Sequence, residues 1–332
     1  MNEYPTKGAF SMNSPAAIAL FAPLLICGLA LGSEPITDPD EVQEIVVDTK
    51  ATNGSNSGFV FEANLHTTLA SDADFDTDIG EFAYAELRAG INASREVGDS
   101  GMFSVDFNAG LINYDITPSA TSAAGDAASI GAEFDDVTTL SLIGMYANQT
   151  DEGHTWFIGG GVLSNGENGA DFGDTVDGIF LGGYRHKLSD NLQVGLGITV
   201  RSRLDDDVLV VPLPQVKYTV NKFWSIESEG VGLRLNYKAS DDLNYGIIGQ
   251  YASTTFRLDD THAAAPEGMV THRRIPVAFY ARYAPNDTIE ISGRVGGMLS
   301  GELEILDTNG NDITSQDIDT GIFGSITVSF KF

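Results

Sequence analysis

The sequence is poor in cysteine, in tryptophan and in positive charge. A single cysteine among 332 residues excludes an intramolecular disulfide and a cysteine-based metal site. There are 18 Lys and Arg against 47 Asp and Glu, so the formal net charge is −29. Because a phosphate-binding surface needs concentrated positive charge, we expect no nucleic-acid partner and no docking onto anionic lipid by charge.

Long apolar runs are confined to the start of the chain. An apolar stretch over Ser14–Leu31 follows Lys7, and small residues precede Ser33 at the spacing of a cleavage site. This layout predicts a secretory signal peptide over residues 1–32. The alternative, a transmembrane anchor, fits less well because the stretch contains two prolines and is short for a bilayer crossing. Cleavage would remove one Glu, one Lys and the cysteine, which leaves the charge at −29.

Residues 33–56 are acidic and precede the first regular pattern. Within them, Glu44-Ile-Val-Val-Asp-Thr49 resembles the segment by which TonB-dependent receptors engage their energising partner. The rest of the chain is too short for a plug domain together with a barrel of about 22 strands. We therefore expect a flexible acidic leader.

The remainder of the chain alternates with a period of two residues. Over 322–332, apolar side chains at every second position alternate with mostly polar ones, which predicts a strand with one apolar face. The same pattern recurs over 59–69, 83–92, 103–111, 192–201 and 289–297, and with less regular phase over 137–149, 154–165, 176–188, 208–220, 223–237, 243–258 and 273–284.

Alternation alone also fits a soluble β-sandwich, but two features favour a membrane barrel. Many runs reach the ~9–11 residues of a tilted transmembrane strand, above the usual ~5–6 of soluble strands. Charged residues also stand in mid-strand, where a water-filled lumen tolerates them. We predict an all-β fold, an antiparallel transmembrane up-and-down β-barrel of about 12 strands (10–14) over residues 57–332. The predicted lumen-lining residues are Glu62, Glu86, Arg88, Asp106, Arg201, Glu290 and Arg294.

A repeated turn supports the barrel. Tyr184, Tyr237 and Tyr283 each precede a short turn rich in Asp, Asn and Ser, after which alternation restarts. Short turns on one side and long loops on the other are typical of transmembrane barrels. With Tyr218 and Trp224, these residues are predicted to form an aromatic girdle at the membrane interface.

Two parts of the sequence resemble known barrels. Phe330 and Phe332 on the last alternating strand are similar to the terminal signal of Gram-negative outer-membrane barrels. Val211-Pro-Leu-Pro214, Trp224-Ser-Ile226 and Leu233-Arg-Leu-Asn-Tyr237 resemble a family of bacterial outer-membrane β-barrels defined by a domain of unknown function. The resemblance implies an outer-membrane location, insertion by the barrel-assembly machinery and contact with outer-membrane lipid. It implies no activity.

One loop has some of the features of a calcium-binding loop. Asp307, Asn309 and Asn311 place oxygen ligands at alternate positions, as in calcium loops. However, Gly310 falls at the fourth loop position rather than the sixth, and no Glu closes the loop. A tight hairpin turn at Asn309-Gly310 is the simpler interpretation, and we expect neither a metal nor a cofactor.

No short catalytic motif accompanies the five histidines, so we expect a protein that is not an enzyme. The predicted function is a passive channel or small-solute binding barrel with a polar lumen. A non-catalytic structural or surface-binding barrel is the first alternative, and an outer-membrane hydrolase is the second. If the lumen is open, its fixed carboxylates raise the local concentration of cations, so among small solutes and ions we expect cations to pass more readily than anions. The preference would reverse if Arg88, Arg201 and Arg294 dominate the narrowest part of the lumen.

Overall fold

The computed structural model describes residues 58–76, 80–118, 136–202, 204, 208–263 and 265–332. The predicted signal peptide, the acidic leader and the TonB-like segment lie outside the described residues. None of the described residues belongs to a helix that is long and apolar enough to cross a membrane.

Among the described residues, the regular structure consists of strands, which pair antiparallel except for one parallel bridge between Arg257 and Gly166, and one short 3₁₀ helix, Phe172–Thr175. Alternation, a high content of β-branched and aromatic residues and turn-forming residues between the runs explain these strands. Their bounds are β1 Val60–Asp74, β2 Gly80–Val97, β3 Gly101–Pro118, β4 Val137–Gln149, β5 Thr155–Glu167, β6 Val176–Ser189, β7 Leu192–Ser202, β8 Val208–Thr219, β9 Trp224–Glu229, β10 Gly232–Lys238, β11 Leu243–Gln250, β12 Ala252–Arg257, β13 Met269–Tyr283, β14 Ile289–Leu306, β15 Asp312–Ile318 and β16 Gly321–Lys331.

The strands close into one barrel, because β1 pairs with both β2 and β16. In two places, two consecutive strands lie end to end and together occupy the place of one strand in the wall. β11 and β12 are separated by a break at Tyr251, and both pair with β13 in a single continuous register. β15 and β16 likewise both pair with β14. The wall therefore has 14 strand positions, against the predicted value of about 12.

The run predicted as a single strand over 223–237 is in fact two strands. Gly230 adopts a φ of 52°, the left-handed region that only glycine enters without strain, and the chain reverses there between β9 and β10. Ser228 and Leu233 then pair across the hairpin. This additional hairpin helps to bring the number of strand positions to 14, the upper end of the predicted range of 10–14.

The prolines of the Val211–Pro214 motif lie on a strand with one partner over most of its length. β8 pairs with β7 from Val208 to Tyr218, but with β9 only from Lys217 to Thr219. Proline has no N–H to donate, so a strand edge without a neighbour is where it fits best. The short β9–β10 hairpin leaves that edge without a paired strand among the described residues.

The two ends of the barrel differ. At what we call the turn end, short turns join β2 to β3, β4 to β5, β6 to β7, β8 to β9, β10 to β11 and β13 to β14. At what we call the loop end, the connections after β3, β5 and β12 are longer, and the β14–β15 hairpin reaches Asp307–Asn311. This asymmetry matches the sequence-based expectation.

On most strands one face is exposed and mainly apolar, whereas the other face is buried or half-buried and mixed; β12 has no exposed position, and the exposed positions of β15 are mostly polar. On β1 the exposed positions include Leu65 and Leu69, and the alternate positions carry His66 and Thr68. The exposed apolar side chains around the wall include Leu87, Ile91, Phe103, Phe107, Leu111, Leu142, Ile158, Val162, Phe180, Leu196, Ile198, Val210, Leu233, Ile247, Phe279, Ile291, Val295, Leu299, Ile322 and Ile326.

Candidate lumen and binding pocket

All seven predicted lumen residues lie on the inner face of the wall. Glu86 and Arg88 are buried on neighbouring inward positions of β2, and the Arg88 guanidinium contacts the Glu86 carboxylate. Arg201 is likewise buried on β7. Glu62, Asp106, Glu290 and Arg294 occupy inward positions on β1, β3 and β14.

Most of these charges pair with residues that the sequence pattern did not single out. Arg201 Nη2 lies 2.9 Å from Asp177 Oδ2 on the adjacent strand β6. Arg282 Nη2 lies 2.6 Å from Glu290 Oε2, and Lys331 Nζ lies 3.4 Å from Glu62 Oε2. Asn92 donates to Asp106 Oδ1 at 2.7 Å. Since the partners come from neighbouring strands, pairing register was needed to find them.

Arg294 belongs to a charge cluster that spans the lumen. Its Nη2 donates to Glu229 Oε1 at 3.1 Å, although Glu229 lies at the tip of the β9–β10 hairpin and Arg294 lies on β14. The Glu229 carboxylate also contacts Arg234. One carboxylate between two guanidinium groups leaves this cluster without an excess of negative charge.

A packed group of side chains, which we call the plug, occupies part of the lumen towards its loop end: Phe82, Tyr114, Phe256, Val270 and His272. The Tyr114 and Phe256 rings stack with centroids 5.5 Å apart, and the Phe82 and His272 rings meet at 5.0 Å. β12 and β13 lie four to six strand positions from β2 and β3 around the wall, so these contacts join strands that are not neighbours. Sequence alternation placed these residues on strands but gave no sign that opposite walls would meet.

A pocket lies immediately below the plug, on its turn-end side. Tyr84 contributes to both, because its ring packs 5.4 Å from that of His272 and also lines the pocket. The pocket has an empty volume of about 390 Å³. Its lining comes from six consecutive strand positions and comprises His66, Thr68, Tyr84, Ile248, Gln250, Arg274, Pro276, Ala278, Arg294, Met298, Phe323 and Ser325.

The five predicted girdle residues, Tyr184, Tyr218, Trp224, Tyr237 and Tyr283, all lie on the outer face near the turn end. Trp224 and Tyr237 pack with ring centroids 4.8 Å apart, and Tyr237 continues to Tyr245 at 5.1 Å. Tyr146 and Trp156, which the turn repeat did not indicate, form a similar pair at 5.3 Å. Their roles as interface anchors stay a prediction.

Two histidines meet at the same end. The His154 and His186 rings stack at 4.3 Å, and His154 Nε2 lies 3.1 Å from an exposed Glu152 carboxylate. His154 Nδ1 accepts from the backbone N–H of Lys187 at 3.0 Å, so both ring nitrogens are engaged in holding the turn. Across the described ranges, no three His, Cys, Asp or Glu side chains are grouped so that they could hold a metal ion.

The loop with the weak calcium candidates is a hairpin turn. Asp307 Oδ1 accepts from the backbone N–H groups of Asn309 at 2.8 Å and Asn311 at 2.9 Å. Hydrogen bonds from Asn311, through its side chain and backbone, lower the pKa of the Asp307 carboxyl group. Gly310 has a φ of 78°, as a tight turn requires. The Asp307 carboxylate is therefore engaged with the backbone of its own turn.

No family model matches the sequence, and no curated protein matches it. The fold is similar to that of the COG4313 outer membrane channel from Pseudomonas putida F1, at 11% identity and a TM-score of 0.46, over 86% of this chain and 100% of that one. The P. putida toluene transporter TodX aligns at 10% identity and a TM-score of 0.36, over 83% of this chain and 90% of that one. The translocator domain of the autotransporter NalP from Neisseria meningitidis aligns at 10% identity and a TM-score of 0.34, over 85% and 90% of the two chains. At such values the likeness concerns the barrel fold alone.

Proposed function

We propose that the chain is an outer-membrane β-barrel that takes small solutes into a polar lumen and lets them pass passively. The observation that carries this proposal is the contrast between the two faces of the wall. The outer face exposes large apolar side chains such as Phe107, at 46% exposure, and Leu69, at 61%. The inner face carries ionised residues such as Glu86 and Arg88.

An exposed apolar belt of this extent is suited to lipid rather than to water. In the proposed orientation the turn end, where both termini of the barrel domain lie, faces the periplasm and the loop end faces outwards. Outer-membrane lipid and the barrel-assembly machinery are then the expected partners. We also propose that the chain belongs to the family of outer-membrane barrels of unknown function, because its Val211–Pro214 and Trp224–Tyr237 segments resemble that family.

The plug bears directly on passage. Phe256 and Val270 are fully buried, so a solute that crosses at the plug requires these side chains to move. Packing of this kind inside the lumen also favours the second candidate, a structural or surface-binding barrel without a through-path. The paired charges of the lumen favour the channel, because a purely structural interior is cheaper to fill with apolar side chains.

The experiment that separates the two candidates is solute flux through refolded protein in liposomes, together with conductance in planar bilayers. We compare the wild type with Phe256→Ala, which removes a ring from the plug, and with Phe107→Ala, which removes a ring from the exposed outer face. The channel predicts measurable flux of small solutes such as glycine in the wild type and larger conductance in Phe256→Ala only. Impermeable liposomes with both the wild type and Phe256→Ala would overturn the channel and favour the structural barrel.

A further inference from the structure

The barrel wall is interrupted between β8 and the β9–β10 hairpin. β9 pairs with β8 only over Lys217–Thr219, and the hairpin turns back at Gly230. Beyond the tip of the hairpin, the β8 edge over 208–215 has no paired strand among the described residues. At roughly 3.3 Å per residue this edge is about 25 Å long. The interruption, which we call the gap, therefore has the length of a strand and not of a bulge.

The strand that follows β11 does not fill the gap. β12 pairs with β13 on one side, and on its other side its pairing within the described ranges is the single parallel bridge from Arg257 to Gly166 of β5. β5 lies three strand positions beyond β8 in the wall. Since β12 has no exposed position, its end lies inside the wall and not in line with it. The gap is thus bounded by β8, by the hairpin tip and by β12.

Two prolines on the open edge direct their nitrogen atoms towards the gap. The N–H of Val216 donates to Ser228 Oγ at 2.6 Å, and the Ser228 hydroxyl donates to Val216 O at 3.2 Å, so the backbone polar groups of Val216 face β9. Alternate residues of a strand direct these groups to the same side, and the β7–β8 register is unbroken, so Pro212 and Pro214 also face the gap. Proline has no N–H. The edge therefore lacks two donors that hydrocarbon would leave unsatisfied, which lowers the cost of an open edge in a membrane.

The gap lies at the height of the exposed apolar side chains. Pro212 and Pro214 pair with Ile198 and Leu196 on β7, which are exposed at 42% and 62%. On the other side of the gap, Leu233, close to the hairpin tip, is exposed at 55%. In the proposed membrane orientation, hydrocarbon therefore meets the gap where two successive gap-facing positions of β8 have no donor.

The hairpin tip is connected to the pocket beside the plug. Gln250 lines the pocket and pairs with Gly232, just after the tip. Arg294 also lines the pocket, and its Nη2 donates to Glu229 Oε1, at the tip itself. An ion pair across the lumen thus helps to hold the tip, whereas backbone pairing with β8 stops at Glu227. Two lining residues of the pocket therefore contact the element that borders the gap.

We propose that the gap is a lateral opening, through which a small, uncharged and mainly apolar solute passes between the pocket and the hydrocarbon of the outer membrane. The hairpin tip moves away from β8, and the solute leaves without crossing the plug. A charged solute does not use this path, because transfer of an unpaired charge into hydrocarbon is very costly. This inference rests on the proposed function and names a route and a class of solute for the same lumen.

The first test measures whether lipid reaches the inner side of the gap. Every variant carries Cys27→Ser, so that the introduced cysteines are the only thiols. A bimane label on Gln215→Cys, at a half-buried inner position of β8, is compared with one on Asn64→Cys, at a half-buried inner position of β1 on the opposite side of the wall.

In liposomes of brominated phosphatidylcholine, we expect the refolded protein to show quenching of the label at position 215 at least threefold stronger than at position 64. Heat-modifiable migration on gels reports folding of both variants. Equal quenching at the two positions would overturn the proposal. So would an unquenched label at position 215, which is the result expected if a partner strand covers β8.

The second test ties the hairpin tip to β8 by a disulfide after the barrel has assembled. Val216→Cys/Ser228→Cys places the bond one residue beyond the last β8–β9 backbone pair, and the control Thr219→Cys/Ser225→Cys places it within the existing pairs. The readout is uptake of N-phenyl-1-naphthylamine, an uncharged dye that fluoresces in hydrocarbon, by cells with the barrel in their outer membrane. Thiol labelling reports that each disulfide has formed.

We expect reduction with dithiothreitol to accelerate dye uptake at least threefold in the first pair and less than twofold in the control pair. Because each variant is compared with its own reduced form, a folding defect cannot produce this difference. Uptake that ignores the first disulfide, or that responds equally to both, would overturn the proposal.

The lateral opening and the aqueous channel are measured separately. Glycine flux into liposomes without lipid access to position 215 would retain the channel and remove the lateral opening. Lipid access and disulfide-dependent dye uptake without glycine flux would retain the lateral opening and remove the aqueous path.

Discussion

Phe61 and Phe332 exchange two backbone hydrogen bonds where the first and last strands of the barrel meet. The N–H of Phe61 donates to Phe332 O at 3.0 Å, and the N–H of Phe332 donates to Phe61 O at 2.9 Å. Their rings lie 6.1 Å apart at an interplanar angle of 14°. These contacts extend the β1–β16 pairing to the turn end and so help close the wall.

Removal of Phe332 is expected to impair assembly, because it deletes both hydrogen bonds and the terminal aromatic group that we interpret as the insertion signal. Outer-membrane levels and heat-modifiable migration measure the effect. Phe332→Tyr, which keeps the ring and the backbone, serves as the control and is expected to assemble normally. Normal levels of the truncated protein would count against this role.

The exported protein is expected to begin near Ser33 and to fractionate with the outer membrane. The reason is the apolar stretch over Ser14–Leu31 followed by small residues at the predicted cleavage site. Intact-mass measurement or N-terminal sequencing of the membrane fraction tests both statements. Retention of Met1 in a soluble fraction would contradict them.

Arg201→Met is expected to destabilise the barrel by about 3–5 kcal/mol, because it leaves the buried Asp177 carboxylate without its guanidinium partner. The double variant Asp177→Leu/Arg201→Met is expected to recover much of this loss. Urea unfolding of the refolded protein in liposomes measures both. The control is Lys238→Met, whose partner Asp241 is fully exposed, and it is expected to change the midpoint little. If Arg201→Met and Lys238→Met shift the unfolding midpoint equally, burial of the Arg201–Asp177 pair does not determine the loss of stability.

The loop after β12 is expected to lose stability as the pH falls below about 6.5. Burial lowers the pKa of His262 from its usual 6.5, against the opposing influence of Glu167 and Asp259. The folded loop therefore prefers the neutral imidazole, whose Nδ1 accepts from the backbone N–H of Ala265 at 3.3 Å. An unfolded loop binds the proton more readily, so stability is complete above 6.5 and declines between 6.5 and the lower folded value.

Hydrogen exchange of residues 258–268, corrected for the intrinsic pH dependence of exchange, measures this effect. Protection is expected to decrease from pH 7.5 to pH 5.5 in the wild type and to stay level in His262→Gln. An identical decrease in both proteins would assign the effect to other groups.

An opened barrel such as Phe256→Ala is expected to prefer anions weakly over cations. The sequence favoured cations on the basis of its carboxylates, but inward carboxylates such as Asp177 and Glu290 are paired with arginines. Arg274 is buried two residues from the plug residue His272 on β13, so a positive charge lies next to the plug. Reversal potentials under a potassium chloride gradient measure the preference, which should weaken at 1 M salt as screening shortens to ~3 Å. A cation-selective pore would contradict this prediction and support the preference for cations that was expected from the sequence.

Period-two alternation by itself determined the strands, the apolar outer face and the inward position of residues such as Glu86, Arg88 and Arg201. This was possible because side-chain direction in a strand depends only on position along the chain. The strand number was close to the predicted value but not equal to it. Gly230 and its neighbours look like an irregular stretch of one strand, and only the pairing of β9 with β10 identifies a hairpin.

The plug and the pocket were decided by the tertiary structure. Tyr84 and Arg274 are far apart in the chain, and each has an unremarkable place in its own alternating run. They meet because the closed wall curves, so that the inward side chains of β13 and β2, four strand positions apart, approach each other in the lumen. Local periodicity fixes which side chains point inwards, but the width of the barrel decides whether those from opposite walls touch, leave a pocket or enclose water.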